Sequence, residues 1–233
     1  MGTDAIIRLG ADLANPNLLA FITESNERSW ILSFIGKRKK SQGLYYQIEI
    51  TTDGPVDNSY ISYKKPKKLS KTQKQIFNAT QLAKSQDYLR CSKQYNNAAL
   101  FVTFGKKKYI YVYLIAASNV VGMDVAGGHH RFLIDPRKNK IIQHDPHTKS
   151  CLTSKLAADT KLTVVTHLTS KTPNEFHIYM SYLHNMPIYV KTTMNDKLWK
   201  VYNGKISIAQ DDEDGTVSKI RNHFKKQNNN KEL

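Results

Sequence analysis

Apolar and polar residues alternate through most of this chain, and helical spacing is the exception. SWILSFIG (29–36) and LYYQIEITT (44–52) flank a basic turn and predict a hairpin with a lysine-rich tip; NSYISYKK (58–65) adds a strand. ALFVTF (99–104) and KYIYVYLIAAS (108–118), split by Gly105-Lys106-Lys107, predict a second hairpin. HHRFLID and KIIQHD, around Pro136–Asn139, predict a third. KLTVVTHLT (161–169), EFHIYMSYL (175–183), PIYVKTT (187–193) and KLWKVYNGKISIA (197–209) continue the series as further strands.

Helical signals are fewer. Residues 3–22 hold a short apolar-periodic stretch broken by Gly10 and Asn15-Pro16. Ser70 and Gln73 have the spacing of a capping box. Behind them Ile76, Phe77, Ala79, Thr80 and Ala83 share one face, which predicts a helix over about 71–89. A short helix is expected over 216–226. The fold class that follows is α+β, a largely antiparallel meandering β-sheet with one principal helix (about 71–89) packed on it. One domain is expected over 1–210, less regular in 1–65 and strand-rich in 90–210. Residues 211–233 form an acidic-then-basic mobile tail.

Composition sharpens this picture in one respect. With 35 Lys and Arg against 19 Asp and Glu, the formal charge is +16, a field that attracts polyanions without sequence preference. Lys64, Lys65, Lys67, Lys68, Lys71 and Lys74 form the densest basic segment and are the candidate polyanion-binding residues. Arginine is sparse, which argues against a dedicated base reader. No apolar run reaches the roughly 18 residues of a membrane-spanning helix.

The candidate chemistry lies in GGHHRFLIDPRKNKIIQHDPHTKSC (127–151). His129, His144 and His147 are the candidate metal ligands. Adjacent strand residues point to opposite faces, so His129 and His130 cannot both join one site, and the expectation is no bound metal or other cofactor. His167, His177 and His184 read as packing or surface residues. Cys91 follows a helix C-terminus, which disfavours a thiolate, and Cys151 has no glycine-rich elbow, so neither reads as a nucleophile.

LRCSKQYN (89–96), GGHHRF (127–132), TKSCL (148–152) and HNMPIYVKTTMNDKLWKVYNGKI (184–206), taken in order, resemble a family of small exported bacterial proteins of unknown function. The resemblance covers about 85–206 and implies a periplasmic or secreted location. The N-terminal stretch has no leader of the signal-peptide type, which keeps a cytoplasmic location as the alternative. The family's paired cysteines imply a Cys91–Cys151 disulfide; two buried free thiols are the alternative. The functional expectation is a non-catalytic envelope-associated or exported protein that binds another macromolecule, a protein or an anionic envelope polymer. The alternatives are a basic nucleic-acid-binding module and a small hydrolase using Cys or His chemistry.

Overall fold

The computed structural model describes residues 6–26, 28–118, 120, 123–157, 159–211 and 214–229. In chain order its elements begin with the meander β1 (Leu18–Asn26), β2 (Ser29–Arg38) and β3 (Ser41–Thr51). β4 (Gly54–Pro55) and β5 (Ile61–Lys68) both pair with β3. The helix α1 (Lys71–Lys84) precedes β6 (Gln94–Phe104) and β7 (Lys107–Ala117). Next come β8 (Met123–Val125), β9 (His130–Asp135), β10 (Lys140–Pro146), β11 (Thr153–Lys155) and β12 (Thr163–His167). The described elements end with α2 (Glu175–His184), β13 (Ile188–Thr192), β14 (Lys197–Tyr202), β15 (Lys205–Ile208) and α3 (Thr216–Asn229). Strand content of 47% against 18% helix makes the chain α+β and mostly antiparallel.

Where one domain was expected, the chain divides into two compact units. The first comprises Met1–Tyr88, Tyr95–Ile115 and His130–Asp145. Its principal helix forms at the predicted place. Ser70 Oγ accepts from Gln73 N and Gln73 Oε1 accepts from Ser70 N, each at 3.0 Å, closing the capping box. The helix buries Ile76, Phe77, Ala79 and Ala83 in one cluster with Ile22, Ile35, Ile110, Val112 and Phe132. It stops at Lys84, short of residue 89, because Ser85 caps it with its N–H bonded back to Gln81 and Ala83.

The second unit comprises Leu89–Gln94, Ala116–His129 and Pro146–Leu233. Its sheet runs β12-β13-β14-β15, and here two expectations are corrected. EFHIYMSYL is the helix α2, not a strand, and β12 pairs with β13 in parallel. The two corrections share one cause, since a parallel pair needs a crossover and α2 supplies it. Locally, Asn174 caps α2 by accepting from Phe176 N, and Asn185 ends it in the left-handed conformation (φ 48°). The helix lays Met180 on Ile188, Val190 and Val201 of the sheet. On the opposite face, Tyr189, Leu198 and Ala209 receive Val217 and Ile220 of α3. One principal helix on one sheet is therefore too simple: this unit is a sheet between two helices. Within the segment expected to be a tail, α3 buries Val217 and Ile220; residues 212, 213 and 230–233 lie outside the described residues.

Candidate functional site

The parallel β12–α2–β13 crossover fixes where chemistry collects. Loops at the carboxyl ends of parallel strands, beside helix N-termini, form the crevices of such units. His167 is the last residue of β12 and His177 lies in the first turn of α2. His147, just past β10, is drawn in by its own N–H, which donates to the His129 carbonyl (2.9 Å), and by its carbonyl, which accepts from Thr169 Oγ1 (3.3 Å).

These three histidines, which the sequence scatters, meet. One ring nitrogen from each of His147, His167 and His177 lies within 4.8 Å of the other two. Ring centroids are 4.6 Å apart for His147–His177, 4.8 Å for His167–His177 and 5.4 Å for His147–His167. Their exposures are 5%, 2% and 4%, so water does not solvate them as it would surface histidines.

Each ring is held by hydrogen bonds at one nitrogen. Asn174 Nδ2 meets His147 Nδ1 at 3.1 Å, and the Asn174 backbone N–H and Oδ1 both lie 3.1 Å from His177 Nδ1. His167 Nε2 bonds Ser170 Oγ at 2.8 Å and Thr169 Oγ1 at 3.2 Å. Each ring keeps one nitrogen outside these bonds: Nε2 of His147, Nε2 of His177 and Nδ1 of His167.

Burial first, and mutual repulsion second, hold the cluster neutral. His177 is pushed down to about 3 by desolvation, with His167 adding to the effect. His147 is lowered well below the usual histidine range by burial and then by His177, His129 and His167, and His167 is lowered by burial. The α2 N-terminus acts in the same direction by disfavouring imidazolium. A neutral imidazole keeps one lone pair; at His147 and His177 it accepts at Nδ1 from Asn174, so a metal at either ring displaces that bond or shifts the ring proton.

The cavity beside the cluster has about 30 Å³ of room, enough for an ion with a bound water. Asp124, His184, Leu152, Val165 and Met180 line it together with the three histidines. His184, the last residue of α2, has Nε2 3.1 Å from Asp124 Oδ1. A larger hollow of about 470 Å³ near α3 is lined by Lys191, Lys197, Arg221 and Lys225, of which Lys191 pairs with Asp196 and Arg221 with Asp211.

The residues singled out from sequence fall as follows. His147 belongs to the cluster. His129 is beside it, stacked on Phe176 (5.3 Å), with its Nδ1 accepting from Ala116 N (3.0 Å). His144 belongs to the first unit, where it stacks on Phe132 (4.1 Å) and bonds His130 (3.0 Å). Adjacent His129 and His130 fall in different units, the boundary lying at the start of β9. His167 and His177, read as packing or surface residues, are buried, and with His184 they line the cavity. The overlooked signal was Pro173-Asn174-Glu175, a helix start placed ahead of His177. Cys91 and Cys151 stand at disulfide distance with Cα atoms 5.1 Å apart, both in the second unit. Lys64, Lys65, Lys67 and Lys68 on β5, and Lys71 and Lys74 at the start of α1, are all exposed.

Comparison with known proteins finds no matching family model, curated protein or solved structure.

Proposed function

We propose that the second unit is a transition-metal site of the zinc class, with His147, His167 and His177 as its protein ligands. The observation that carries this reading is the approach of three buried, neutral imidazoles to within 4.8 Å, each held by a hydrogen bond at one ring nitrogen. Zinc–nitrogen bonds of about 2.0–2.1 Å put tetrahedral ligands roughly 3.3 Å apart, so ring rotations closing about 1.5 Å complete the set. Three histidines leave a fourth position for water, and the cavity has room for it. Without an ion, three imidazoles crowded in low dielectric serve stability poorly, since apolar side chains would fill the same space at less cost.

The test is metal analysis of protein made without a histidine tag, with cobalt substitution read by its visible absorption. One metal per chain is expected, lost in His167→Ala and in His177→Ala. A folded wild-type chain that takes up no stoichiometric zinc or cobalt refutes the reading.

Location belongs to the same proposal. Cys91 and Cys151 at disulfide distance support an oxidising, periplasmic or secreted compartment. No described helix is long and apolar enough to cross a membrane.

A further inference from the structure

We propose that the hollow between α3 and its sheet binds a small phosphate monoester, whose phosphate is held by Lys191, Lys197, Arg221 and Lys225. The hollow shares no residue with the cavity at the histidine cluster, and it stands independently of the metal-site reading.

Two elements bring the cations together. Along α3, Val217, Ile220 and Phe224 recur at helical spacing and pack on the sheet. Arg221 and Lys225, four residues apart, share the neighbouring face of the helix. On the sheet, Lys191 lies two residues after Tyr189 and opposite Leu198, so it belongs to the face that α3 covers. Lys197 opens β14, directly after Asp196 turns the chain in the left-handed conformation (φ 55°).

Lys191 and Arg221 are not free surface cations. Lys191 Nζ lies 2.6 Å from Asp196 Oδ1 and donates to the Asp196 carbonyl (2.8 Å), with only 17% of its side chain exposed. Arg221 Nη1 donates to both Asp211 carboxylate oxygens (2.9 and 3.0 Å), and Nη2 to the Ala209 carbonyl (2.9 Å). The two carboxylates are themselves 83% and 63% exposed, so water screens their charge while they hold the cations in place. Among the described residues, Lys197 and Lys225 have no acidic partner. Like charges one turn apart on α3, facing two more from the sheet, repel one another, and a bound anion relieves that repulsion.

The lining selects the ligand. Four cations against one lining carboxylate, Asp196, exclude a metal ion. A phosphate monoester carries nearly two negative charges on three acceptor oxygens, which suits cations arriving from both helix and sheet. The remaining wall, Leu198, Ile208 and Phe224, is apolar and suits a ring or a short chain attached to the phosphate. The volume of about 470 Å³ falls in the roughly 300–1,000 Å³ range of small-molecule sites. Nucleotides and phospholipid fragments share this chemistry.

The experiment is calorimetric titration of the full chain at about 150 mM salt, with chelator present so that no metal contributes. Phenyl phosphate is expected to bind once per chain, at least tenfold tighter than inorganic phosphate, while benzyl alcohol gives no heat. Adenosine monophosphate and hexyl phosphate separate the two sources, the tighter of them assigning the apolar wall to a base or to a chain. Lys197→Gln and Lys225→Gln should each weaken phenyl phosphate about tenfold, and Arg221→Gln about 100-fold. Should Arg221→Gln not fold, the double variant of Lys197 and Lys225, which leaves both ion pairs intact, should show the 100-fold loss. Lys64→Gln with Lys67→Gln, in the other unit, should bind as wild type does. Phenyl phosphate that binds no tighter than inorganic phosphate, unchanged affinity in Lys225→Gln, or an equal loss in the Lys64 and Lys67 variant overturns the proposal.

Discussion

Replacing Cys91 and Cys151 together by serine removes a crosslink that spans 60 residues and encloses β6, β7, β8, β9 and β10. In the chain-entropy account, a loop of this length restricts the unfolded ensemble by about 4 kcal/mol at 25 °C. The folded side loses little in exchange. The Cα separation of 5.1 Å lies inside the ordinary range, and neighbouring bonds remain, with Ser92 Oγ donating to the Ala117 carbonyl (2.5 Å) and Ala126 N to the Leu152 carbonyl (2.9 Å). Against a typical stability of about 5–15 kcal/mol, the loss is large. Urea unfolding reads it through two tryptophans, Trp30 in β2 and Trp199 in β14, one in each unit. With a slope of about 2 kcal/mol/M, the midpoint should fall by about 2 M in the double variant and in reduced wild type alike. A shift worth less than about 1 kcal/mol, or two titratable thiols in unreduced unfolded protein, refutes the crosslink and the oxidising location with it.

Three further outcomes are expected. In metal-free protein, His177 stays neutral down to about 3 while the unfolded chain protonates near 6.5. Its contribution is therefore complete above about pH 6.5 and declines as pH falls toward 3, by roughly 1.4 kcal/mol per unit, with His147 and His167 acting in the same direction. A urea midpoint that stays flat from about pH 7 to 5 contradicts this. Gly127→Ala places a Cβ 2.7 Å from both Leu152 N and Ser150 O, so the wall of the cavity must shift; a loss of about 1–3 kcal/mol by thermal melting is expected, and a neutral change excludes so close an approach. The exposed lysines of β5 and α1 should give weak, sequence-independent heparin binding that falls steeply with salt, and Lys64→Glu with Lys67→Glu should lower the elution salt; unchanged elution assigns the binding elsewhere.

Local signals in the sequence were legible wherever neighbours along the chain decide structure. Ser70 and Gln73 announce α1 because both halves of a capping box are three residues apart. The turn at Gly105 announces the β6–β7 hairpin because left-handed backbone (φ 58°) favours glycine. α2 was illegible for the opposite reason: Phe176, Ile178, Met180 and Tyr182 alternate like a strand, and only the caps Asn174 and Asn185 say otherwise. The histidine cluster depends on that one element. Read as a strand, α2 leaves His177 remote; wound as a crossover between parallel strands, it starts at the end of β12 and sets His177 beside His167. Assigning residues to two units was equally out of reach, because chain segments alternate between them several times.

The clustering of all three ligands between His147 and His177 bears on how the chain is made. Loops of about 20 and 10 residues separate them, and short loops close at little entropic cost. The whole ligand set therefore lies ahead of β13 and can close before β13 pairs. An ion captured at that stage holds the end of β12 against the first turn of α2 and presents β12 ready for its parallel partner. Pairing of that kind is otherwise slow, because it waits on closure of the crossover. On the metal-site reading, the ion thus acts as a clamp during folding, and zinc added to refolding protein shortens the step in which the second unit forms.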